Sequence, residues 1–457
     1  MIRSSRMAGF NRAAGAQFWR LAWPASVEGL IVMLIFSANL LMVSNLGPSA
    51  TSAVGIFAQP QMVLLFIARS FSVAVSALIA NRCGQGRTDL STCLKQSVVV
   101  MTAVYLALMS AAYALLEPIL RLAGAKSDYM LLAVGYARPA VAALFFVGVS
   151  TVLNAGLLGV GQTKVILVAN VAGNICSLGL GAVLIHGWYG APALGVAGAG
   201  LGNLAGAVVS LAISLYVLLH PNCAVSLRGR ADWRPKKQEL SALWQMFTGA
   251  FAEQGVERIG MFLYSRMAAD LGTTAFAVHT VCMNLCNLHY SFAQGLGKAG
   301  LVLAGRTLGA GDRHAFANTA RAGQQITFAL SVLAFLFYAL LRMPLLRLYD
   351  TSEQMLQLGG GIMLFVAAVS FPQAHAMVCA GTLRGAGKTR FVAVYSLISI
   401  AVARPILTWV LAFSLGLGLY GAWIALLLDQ TARAVCSAVG VRRLKRCISL
   451  YFAILSD

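Results

Sequence analysis

Charged residues are scarce in this sequence. They make up 11% of the 457 residues, whereas a soluble domain carries about 25%. Hydrophobic residues reach 59%. So few charges cannot cover the surface of a soluble protein of this size, which excludes a soluble enzyme, a disordered chain and a disulfide-stapled scaffold. The composition predicts a multi-spanning membrane protein.

Acidic residues are the scarcest charged class. The sequence contains 14 Asp and Glu against 34 Lys and Arg, a net charge of +20. Such an excess is typical of nucleic-acid binding in a soluble chain and of positive cytoplasmic loops in a membrane chain. The nine cysteines are an odd number scattered through apolar stretches. They are interpreted as buried thiols.

Long gaps between charges mark the membrane spans, because a helix needs about 20 apolar residues to cross a bilayer. The gap 29–68 is long enough for two helices and is broken at Gly47-Pro48. The gap 165–227 is longer still and also predicts two. With a less apolar segment near 240–269, the total is twelve. We predict an all-α membrane protein with twelve transmembrane helices.

Basic residues set the orientation of these helices, because cytoplasmic loops are enriched in Lys and Arg. With the N-terminus inside, the cytoplasmic segments hold 23 Lys and Arg, and the outer loops hold four: Arg121, Lys126, Arg342 and Arg347. This bias predicts a multi-pass cytoplasmic (inner) membrane protein with both termini in the cytoplasm. The bilayer explains most of the positive charge, so we expect no nucleic-acid partner.

Glycine motifs recur at a nearly constant spacing in the two halves of the chain. Gly84-Gln-Gly86 recurs as Gly309-Ala-Gly311, and Gly159-Val-Gly-Gln-Thr-Lys164 recurs at almost the same interval as Gly385-Ala-Gly-Lys-Thr-Arg390. Two further matches pair Asn45-Leu-Gly47 with Asp270-Leu-Gly272 and Leu194-Gly195 with Leu417-Gly418. The repeat predicts two pseudo-symmetric six-helix lobes in the same orientation, as in secondary transporters that hold substrate between repeats.

The repeat also predicts the domain boundaries. The predicted segments are a cytoplasmic tail (1–20), an N-lobe of helices 1–6 (21–219), a cytoplasmic linker (220–238), a C-lobe of helices 7–12 (239–444) and a C-terminal tail (445–457). We expect a monomer, since each chain would contain both lobes.

Three motifs suggest a cofactor or a metal but are better explained by helix packing. Gly385-Ala-Gly-Lys-Thr389 lacks the first glycine of a phosphate-binding loop and follows a membrane helix. Gly200-Leu-Gly-Asn-Leu-Ala205 matches a dinucleotide fingerprint without a preceding strand. Four His and Cys residues from His279 to His289 share one helix face, but its ends are about 15 Å apart. We predict no enzyme activity, no cofactor and no metal.

The motifs together resemble the multidrug and toxic compound extrusion (MATE) family over residues 20–445. The motifs are Asn45-Leu-Gly47, the two Gly-x-Gly turns, Gly195-Val-Ala-Gly-Ala199, Ala277-Val-His279 and Leu383-Arg-Gly-Ala-Gly-Lys-Thr389. The resemblance implies a V-shaped pair of lobes that exports small organic molecules in exchange for H⁺ or Na⁺ by alternating access. The alternatives are a lipid-linked precursor flippase of the same superfamily, which usually has additional helices, and a non-transporting membrane receptor or scaffold.

Acidic side chains inside the predicted spans are candidates for binding the coupling cation, because a charge at bilayer depth is costly. Glu28 and Glu253 are separated by the same interval as Gly84 and Gly309, and so occupy equivalent places in helices 1 and 7. Glu253 and Glu257 share a helix face, where the nearness of two carboxylates favours proton uptake by one of them. Asp429 in helix 12 is the fourth candidate. The alternative is that each acid forms a static pair with Arg258, Arg266 or another base.

Polar residues in the spans are candidates for lining the substrate cavity: Asn39, Arg69, Asn174, His279, Lys298, Gln373 and His375. Some members of the resembled family have an Asp where Asn39 stands, and others have a helix-10 acid that residues 354–383 lack, so we predict a coupling site in the C-lobe. If Arg69 and Lys298 face the cavity they favour anions or zwitterions; if they pair with acids, cationic or neutral drugs remain. Arg433, near a span end, is interpreted as an interface anchor.

Overall fold

The computed structural model describes residues 11–44, 46–125, 127, 129–221, 223–228, 232–349 and 352–454. The two extreme ends of the chain lie outside these ranges, and so does Asn45 of the Asn45-Leu-Gly47 motif. Four of the basic residues counted for the membrane orientation also lie outside them: Arg3, Arg6, Lys126 and Arg230. The described part of the chain is all α-helical, without strands.

Twelve long helices, labelled α1–α12, form the membrane part. They are Arg12–Ser44, Pro48–Gly84, Leu90–Ala114, Met130–Gly159, Thr163–His186, Val196–Leu219, Lys237–Ala269, Thr273–Gly309, Arg313–Leu340, Glu353–Gly385, Thr389–Ser414 and Gly418–Ile454. Short helices at Leu116–Leu122 and Arg342–Arg347 follow α3 and α9. The predicted fold class of twelve transmembrane helices is confirmed.

Ten of the twelve helices in the described chain are long and apolar enough to cross a membrane by composition alone. The other two are α7 and α8, which the repeat pairs with α1 and α2. They fall short because they carry Glu253, Glu257, His279 and Lys298 among their apolar residues. The first two helices of the second half therefore carry charged and polar side chains within otherwise apolar sequence.

Large apolar side chains lie on the outside of the helices. Leu34, Phe262 and Leu340 are 62%, 71% and 74% exposed. Such a surface would aggregate in water, and in a bilayer it faces the lipid tails. The distribution agrees with a multi-pass membrane protein.

The repeat is present in the backbone as well as in the sequence. Gly47 and Gly272, which begin α2 and α8, have φ of +103° and +104°, and Gly86 and Gly311 have +70° and +69°. The other two pairs agree in the same way, Gly161 and Gly387 at +70° and +74°, and Gly195 and Gly418 at +56° and +54°. Positive φ favours glycine. The same turns occur in both halves, and each turn favours glycine at the equivalent position.

The helices form two compact units. The N-unit contains residues Val27–Phe251, and the C-unit contains the chain up to Ser26 together with the chain from Ala252 onward. In the N-unit, α5 and α6 approach closely through glycines, since a Cβ on Gly206 would lie 2.4 Å from the Gly173 carbonyl oxygen. In the C-unit, Trp423 of α12 and Ile362 of α10 belong to the largest apolar cluster.

Helix α11 contains two stretches of wide, π-helical turns. They span Leu397–Ala403 and Trp409–Ser414 and flank a short α-helical segment, Arg404–Thr408. Pro405 cannot donate a backbone hydrogen bond to the preceding turn, which is consistent with the irregular winding around it. Wide turns of this kind are frequent at functional positions.

Candidate functional site

Glu253 forms a buried salt bridge in the C-unit. It lies on α7 and is 2% exposed. Arg384, in the last turn of α10, donates from Nε to Glu253 Oε2 at 3.0 Å and from Nη2 to Oε1. A bidentate pair of this kind fixes both side chains. Glu253 is therefore held as a static ion pair, and its partner is Arg384.

A second salt bridge joins α11 to α12 and is more deeply buried. Arg404 donates from Nε to Asp429 Oδ2 at 3.0 Å, and its Nη2 contacts the same oxygen. Ser399 donates to Asp429 Oδ1. The guanidinium of Arg404 lies 5.6 Å from the ring centroid of Tyr264, in cation–π range. The carboxylate of Asp429 is thus occupied on both oxygens.

Glu257 differs from these two acids. It is half-buried on α7, one helical turn after Glu253, and accepts a hydrogen bond from Tyr290 of α8 at 2.5 Å. It makes no salt bridge with any described residue. Arg433 of α12 is near enough for its charge to act on both Glu257 and Asp429, and its Nε has no hydrogen-bond partner in the described chain. Glu257 therefore keeps carboxylate capacity for a further cation.

Arg433 is not the interface anchor that its position in the sequence suggested. It is 4% exposed and lies among charged and tyrosine side chains of the C-unit. A buried guanidinium is costly unless charges nearby compensate it. The acids of this cluster supply that compensation.

Glu28, the fourth acid, lies in the N-unit and contacts an amide side chain. It is 9% exposed and accepts from Asn170 Nδ2 at 2.6 Å. Asn170 Oδ1 in turn accepts from Ser210 at 2.9 Å, and its backbone carbonyl accepts from Asn174 Nδ2 at 2.8 Å. Glu28 and the cavity candidate Asn174 thus belong to one hydrogen-bonded network.

His279 lies in an aromatic cluster of the C-unit. Its ring is 5.2 Å from that of Tyr264 and 5.9 Å from that of Trp423. His279 Nδ1 and Trp423 Nε1 are buried, and neither has a hydrogen-bond partner among the described residues. Burying such atoms costs free energy, so this cluster keeps polar capacity close to the Arg404–Asp429 pair.

The remaining cavity candidates are dispersed. Asn39 is half-buried and Arg69 is exposed, both in the N-unit. Lys298 and His375 are half-buried in the C-unit, where Gln373 contacts the Cys286 sulfur at 3.9 Å. Their role in lining a cavity stays a prediction.

Sequence reasoning did not find the partners of the acids. It assigned Arg384 to a cytoplasmic segment because it adjoins the Gly385-Ala-Gly387 turn, and it considered Arg258 and Arg266 as partners. In the structure Arg258 is exposed, and Arg266 pairs with Asp270 at 3.2 Å. Tyr290 carried no signal of its own, because only tertiary contact places it beside Glu257.

Metal ligands do not cluster in the described chain, where no three His, Cys, Asp or Glu side chains are grouped to hold an ion. The eight cysteines described are all free, and Cys436 is exposed while five others are buried. The buried ionic cluster described above is therefore built from carboxylates, guanidinium groups and tyrosine hydroxyls.

Several known proteins of similar sequence are named as multidrug resistance proteins. A probable multidrug resistance protein NorM of Thermotoga maritima is 23% identical over 416 residues, covering 91% of this chain and 89% of the relative. A probable multidrug resistance protein NorM of Rhizobium meliloti is 26% identical over 437 residues, covering 92% and 91%. The multidrug resistance protein MdtK of Edwardsiella ictaluri is 26% identical over 310 residues, covering 63% and 64%.

Solved structures show the same fold. A MATE protein in the bent conformation superposes with a TM-score of 0.89 at 20% identity, covering 96% of this chain and 97% of that one. A transporter of the MOP superfamily from Pyrococcus furiosus superposes with a TM-score of 0.87 at 20% identity, covering 97% and 100%. The MatE family model matches residues 24–183 and again residues 250–410, so that both halves of the repeat are recognised. The chain therefore belongs to the MatE family of membrane transporters, and it is a transporter rather than an enzyme.

Proposed function

We propose that the protein is a secondary active exporter of small organic molecules, driven by antiport of H⁺ or Na⁺ through alternating access. The names of its relatives, which are multidrug resistance proteins, support organic drugs as substrates. The proposed location is the cytoplasmic membrane, with both termini in the cytoplasm and the monomer as the working unit.

The observation that carries the coupling proposal is the contrast among the acids of the C-unit. Glu253 and Asp429 are each committed to an arginine, whereas the hydrogen-bond partner of Glu257 among the described residues is the Tyr290 hydroxyl at 2.5 Å. A carboxylate that must take up and release a cation needs an oxygen that is not locked in an ion pair. Glu257 meets this requirement, and Tyr290 holds it in place.

Coupling follows if cation binding to Glu257 stabilises one of the two access states more than the other. A ligand shifts a conformational equilibrium only by its difference in affinity for the two states. Binding of H⁺ or Na⁺ removes a negative charge near Arg433, which changes the electrostatic balance of the buried cluster. The cation gradient then sets the direction of transport.

The test is transport in proteoliposomes under an imposed pH or Na⁺ gradient, with a fluorescent organic cation and a fluorescent organic anion as probes. We expect Glu257→Gln to lower gradient-driven transport at least tenfold, because the amide keeps the size but cannot exchange a cation. Tyr290→Phe should give a smaller loss. The exposed Glu353, in the first turn of α10, provides the control variant Glu353→Gln, which should transport like the parent.

Parent-like transport by Glu257→Gln would refute this coupling site, and Glu28 would become the next candidate. The response to each gradient identifies the coupling ion, and the probe that is exported decides between anionic and cationic substrates.

Orientation is tested separately with a cysteine at Ser226, in the linker before α7, in a background without native cysteines. We expect this thiol to be protected from membrane-impermeant reagents in intact cells and to react after permeabilisation. Labelling from outside would reverse the proposed topology.

A further inference from the structure

The chain passes from one compact unit to the other in the middle of a helix rather than in a loop. Helix α1 passes from the C-unit to the N-unit between Ser26 and Val27, and α7 passes the other way between Phe251 and Ala252. The interval between the two crossing points equals the interval of the sequence repeat from Gly84 to Gly309. The first helix of each half therefore changes unit at an equivalent residue.

Before its crossing, α1 is attached to the C-unit. Ser26 donates from Oγ to the carbonyl oxygen of Phe292 at 2.9 Å. Gly295 approaches Ser26 so closely that a Cβ there would lie 2.2 Å from the Ser26 nitrogen. The ring of Phe18 covers Gly323 in the same way, 2.6 Å from a Cβ built there. The first half of α1 is thus packed tightly against α8 and α9.

Before its crossing, α7 is attached to the N-unit. Glu239 accepts from Arg82 Nη2 at 2.6 Å, at the end of α2. Further along α7, the rings of Phe251 and Phe66 lie 4.8 Å apart. In the linker preceding α7, the ring of Trp233 lies 5.2 Å from the ammonium group of Lys95. The first half of α7 and its linker are therefore held by α2 and α3.

The crossing points are weak places in both helices. Pro24 lies two residues before the α1 exchange and removes one backbone hydrogen bond. Gly249 lies two residues before the α7 exchange, and glycine is the most flexible residue in a helix. Two different residue types thus weaken the helix at equivalent positions of the repeat.

Directly after each crossing stands a buried glutamate. Glu28 accepts from Asn170 of the N-unit at 2.6 Å, and Glu253 accepts from Arg384 of the C-unit at 3.0 Å and through a second contact. Each glutamate thus binds the unit that its helix has just entered. Attachment on both sides confines bending to the few residues between Pro24 and Glu28 and between Gly249 and Glu253.

We propose that Glu28 and Glu253 are equivalent positioning residues that anchor α1 and α7 after they change unit, so that the movement between access states bends these helices at the crossings. The proposal rests on the proposed transport by alternating access. It gives Glu253 and Glu28 a role different from that of Glu257, because they hold a helix rather than carry a cation.

Side-chain length separates the two roles. Asp in place of Glu still titrates but is one methylene shorter, so a cation carrier tolerates it better than an anchor does. Gln keeps the length, and at Glu28 it can still accept from Asn170. We expect Glu28→Gln to transport within twofold of the parent and Glu28→Asp to lose at least tenfold. Glu253→Asp should lose at least tenfold, and Glu353→Asp should match the parent.

Bending is measured without transport by spin labels on α7 at Trp244 and Ile259, exposed positions on either side of the crossing. We expect the distance distribution in Glu253→Asp to be broader than in the parent. In Glu253→Arg with Arg384→Glu, the exchanged ion pair keeps the combined length of the two side chains and should restore the parent distribution, whereas Glu253→Arg alone should not.

Parent-like transport and distances in Glu253→Asp would overturn the anchor at α7. Lost transport with unchanged label distances would also overturn the anchor role of Glu253. Glu253 would then again be a candidate for carrying the coupling cation. If Glu253→Asp does not fold, the transport rates of the two Glu28 variants test the proposal. A greater loss of transport in Glu28→Gln than in Glu28→Asp refutes it. Because the label distances need no transport, this inference and the Glu257 coupling site can fail independently.

Discussion

The N-unit and the C-unit share a backbone plan and differ in the chemistry of their polar interiors. The N-unit joins its helices by neutral hydrogen bonds, such as Ser214 to Asn154 at 2.8 Å and Ser177 to Asn203 at 2.9 Å. Ser177 and Asn203 lie on α5 and α6, and the C-unit joins the corresponding helices, α11 and α12, by the ion pair Arg404–Asp429. The contact between the last two helices is thus neutral in one half and ionic in the other.

The difference between neutral and ionic contacts is visible at positions that the repeat makes equivalent. Gly206 and Asp429 are separated by the same interval as the turn glycines Gly195 and Gly418, so they are equivalent in the repeat. By the interval from Gly161 to Gly387, Gly173 is likewise equivalent to Ser399. In the N-unit Gly206 and Gly173 are in close contact; in the C-unit Ser399 donates to Asp429. Where the N-unit has close backbone packing, the C-unit therefore has a buried charged pair.

The strongest test of this comparison removes one charge from the C-unit pair. Arg404→Met leaves the carboxylate of Asp429 buried without its partner, and we expect a loss of about 3–5 kcal/mol of stability. Thermal unfolding in detergent measures it. Arg404→Met with Asp429→Leu should recover most of the loss, because an apolar pair leaves no charge uncompensated. If Arg404→Met alone is as stable as the parent, the ion pair between Arg404 and Asp429 is not desolvated.

The matching test in the N-unit adds volume instead of removing charge. Gly206→Ala places a Cβ 2.4 Å from the Gly173 carbonyl oxygen and 2.7 Å from Ser177 Cβ, and we expect a cost of about 1–3 kcal/mol. Gly179→Ala on α5, where a Cβ meets nothing within 4 Å, is the control and should not destabilise. Equal unfolding midpoints for the two variants would mean that α5 and α6 are less closely packed than described.

A neutral hydrogen bond should matter less than either of these. Ser214→Ala removes the bond to Asn154, with an expected cost of about 1 kcal/mol. Its repeat partner is Ser437, which donates to the carbonyl oxygen of Ala434 in its own helix at 3.0 Å. Its contact with another helix is a hydrogen bond with the Cys379 thiol, and sulfur is a weaker hydrogen-bonding atom than an amide oxygen. Ser437→Ala should therefore cost less in the same assay, and the reverse order would contradict the proposed division between the units.

The smallest effect is expected at an exposed ion pair of α7. Arg266 and Asp270 are 3.2 Å apart, with side chains 67% and 46% exposed. Solvent and salt screen such a pair, so Arg266→Gln should change stability by at most about 0.5 kcal/mol. A loss comparable to that of Arg404→Met would show that exposure does not separate the two pairs.

The fold could be predicted because it depends on patterns along the chain. Gaps between charges define helices locally, and the spacing of Gly84-Gln-Gly86 and Gly309-Ala-Gly311 reveals two halves. The acids Glu253 and Glu257 were found for the same reason, since a spacing of four means one helix face. The positive-inside orientation stays a prediction.

The ion pairs could not be predicted, because their partners are far apart in sequence. Arg384 is 131 residues from Glu253, and nothing local distinguishes it from the other bases beside a cytoplasmic turn. The exchange of α1 and α7 between units was also hidden, since a helix that changes unit has no gap or turn at the crossing. Only Pro24 marked the place, and its equivalent is Gly249.

The paired turn glycines also affect how the gene can vary. Eight of them, including Gly47 and Gly272, have φ between +54° and +104°. A single base change that alters the meaning of a glycine codon either adds a side chain or ends translation. At Gly47 and Gly272 the ψ values of 173° and 164° lie in a region that is essentially open to glycine alone. Asn, which tolerates the left-handed α region better than most residues, cannot be reached in one step. We therefore expect selection to remove missense changes at these codons in both halves. The spacing of the repeat is then preserved while the buried side chains between the turns diverge.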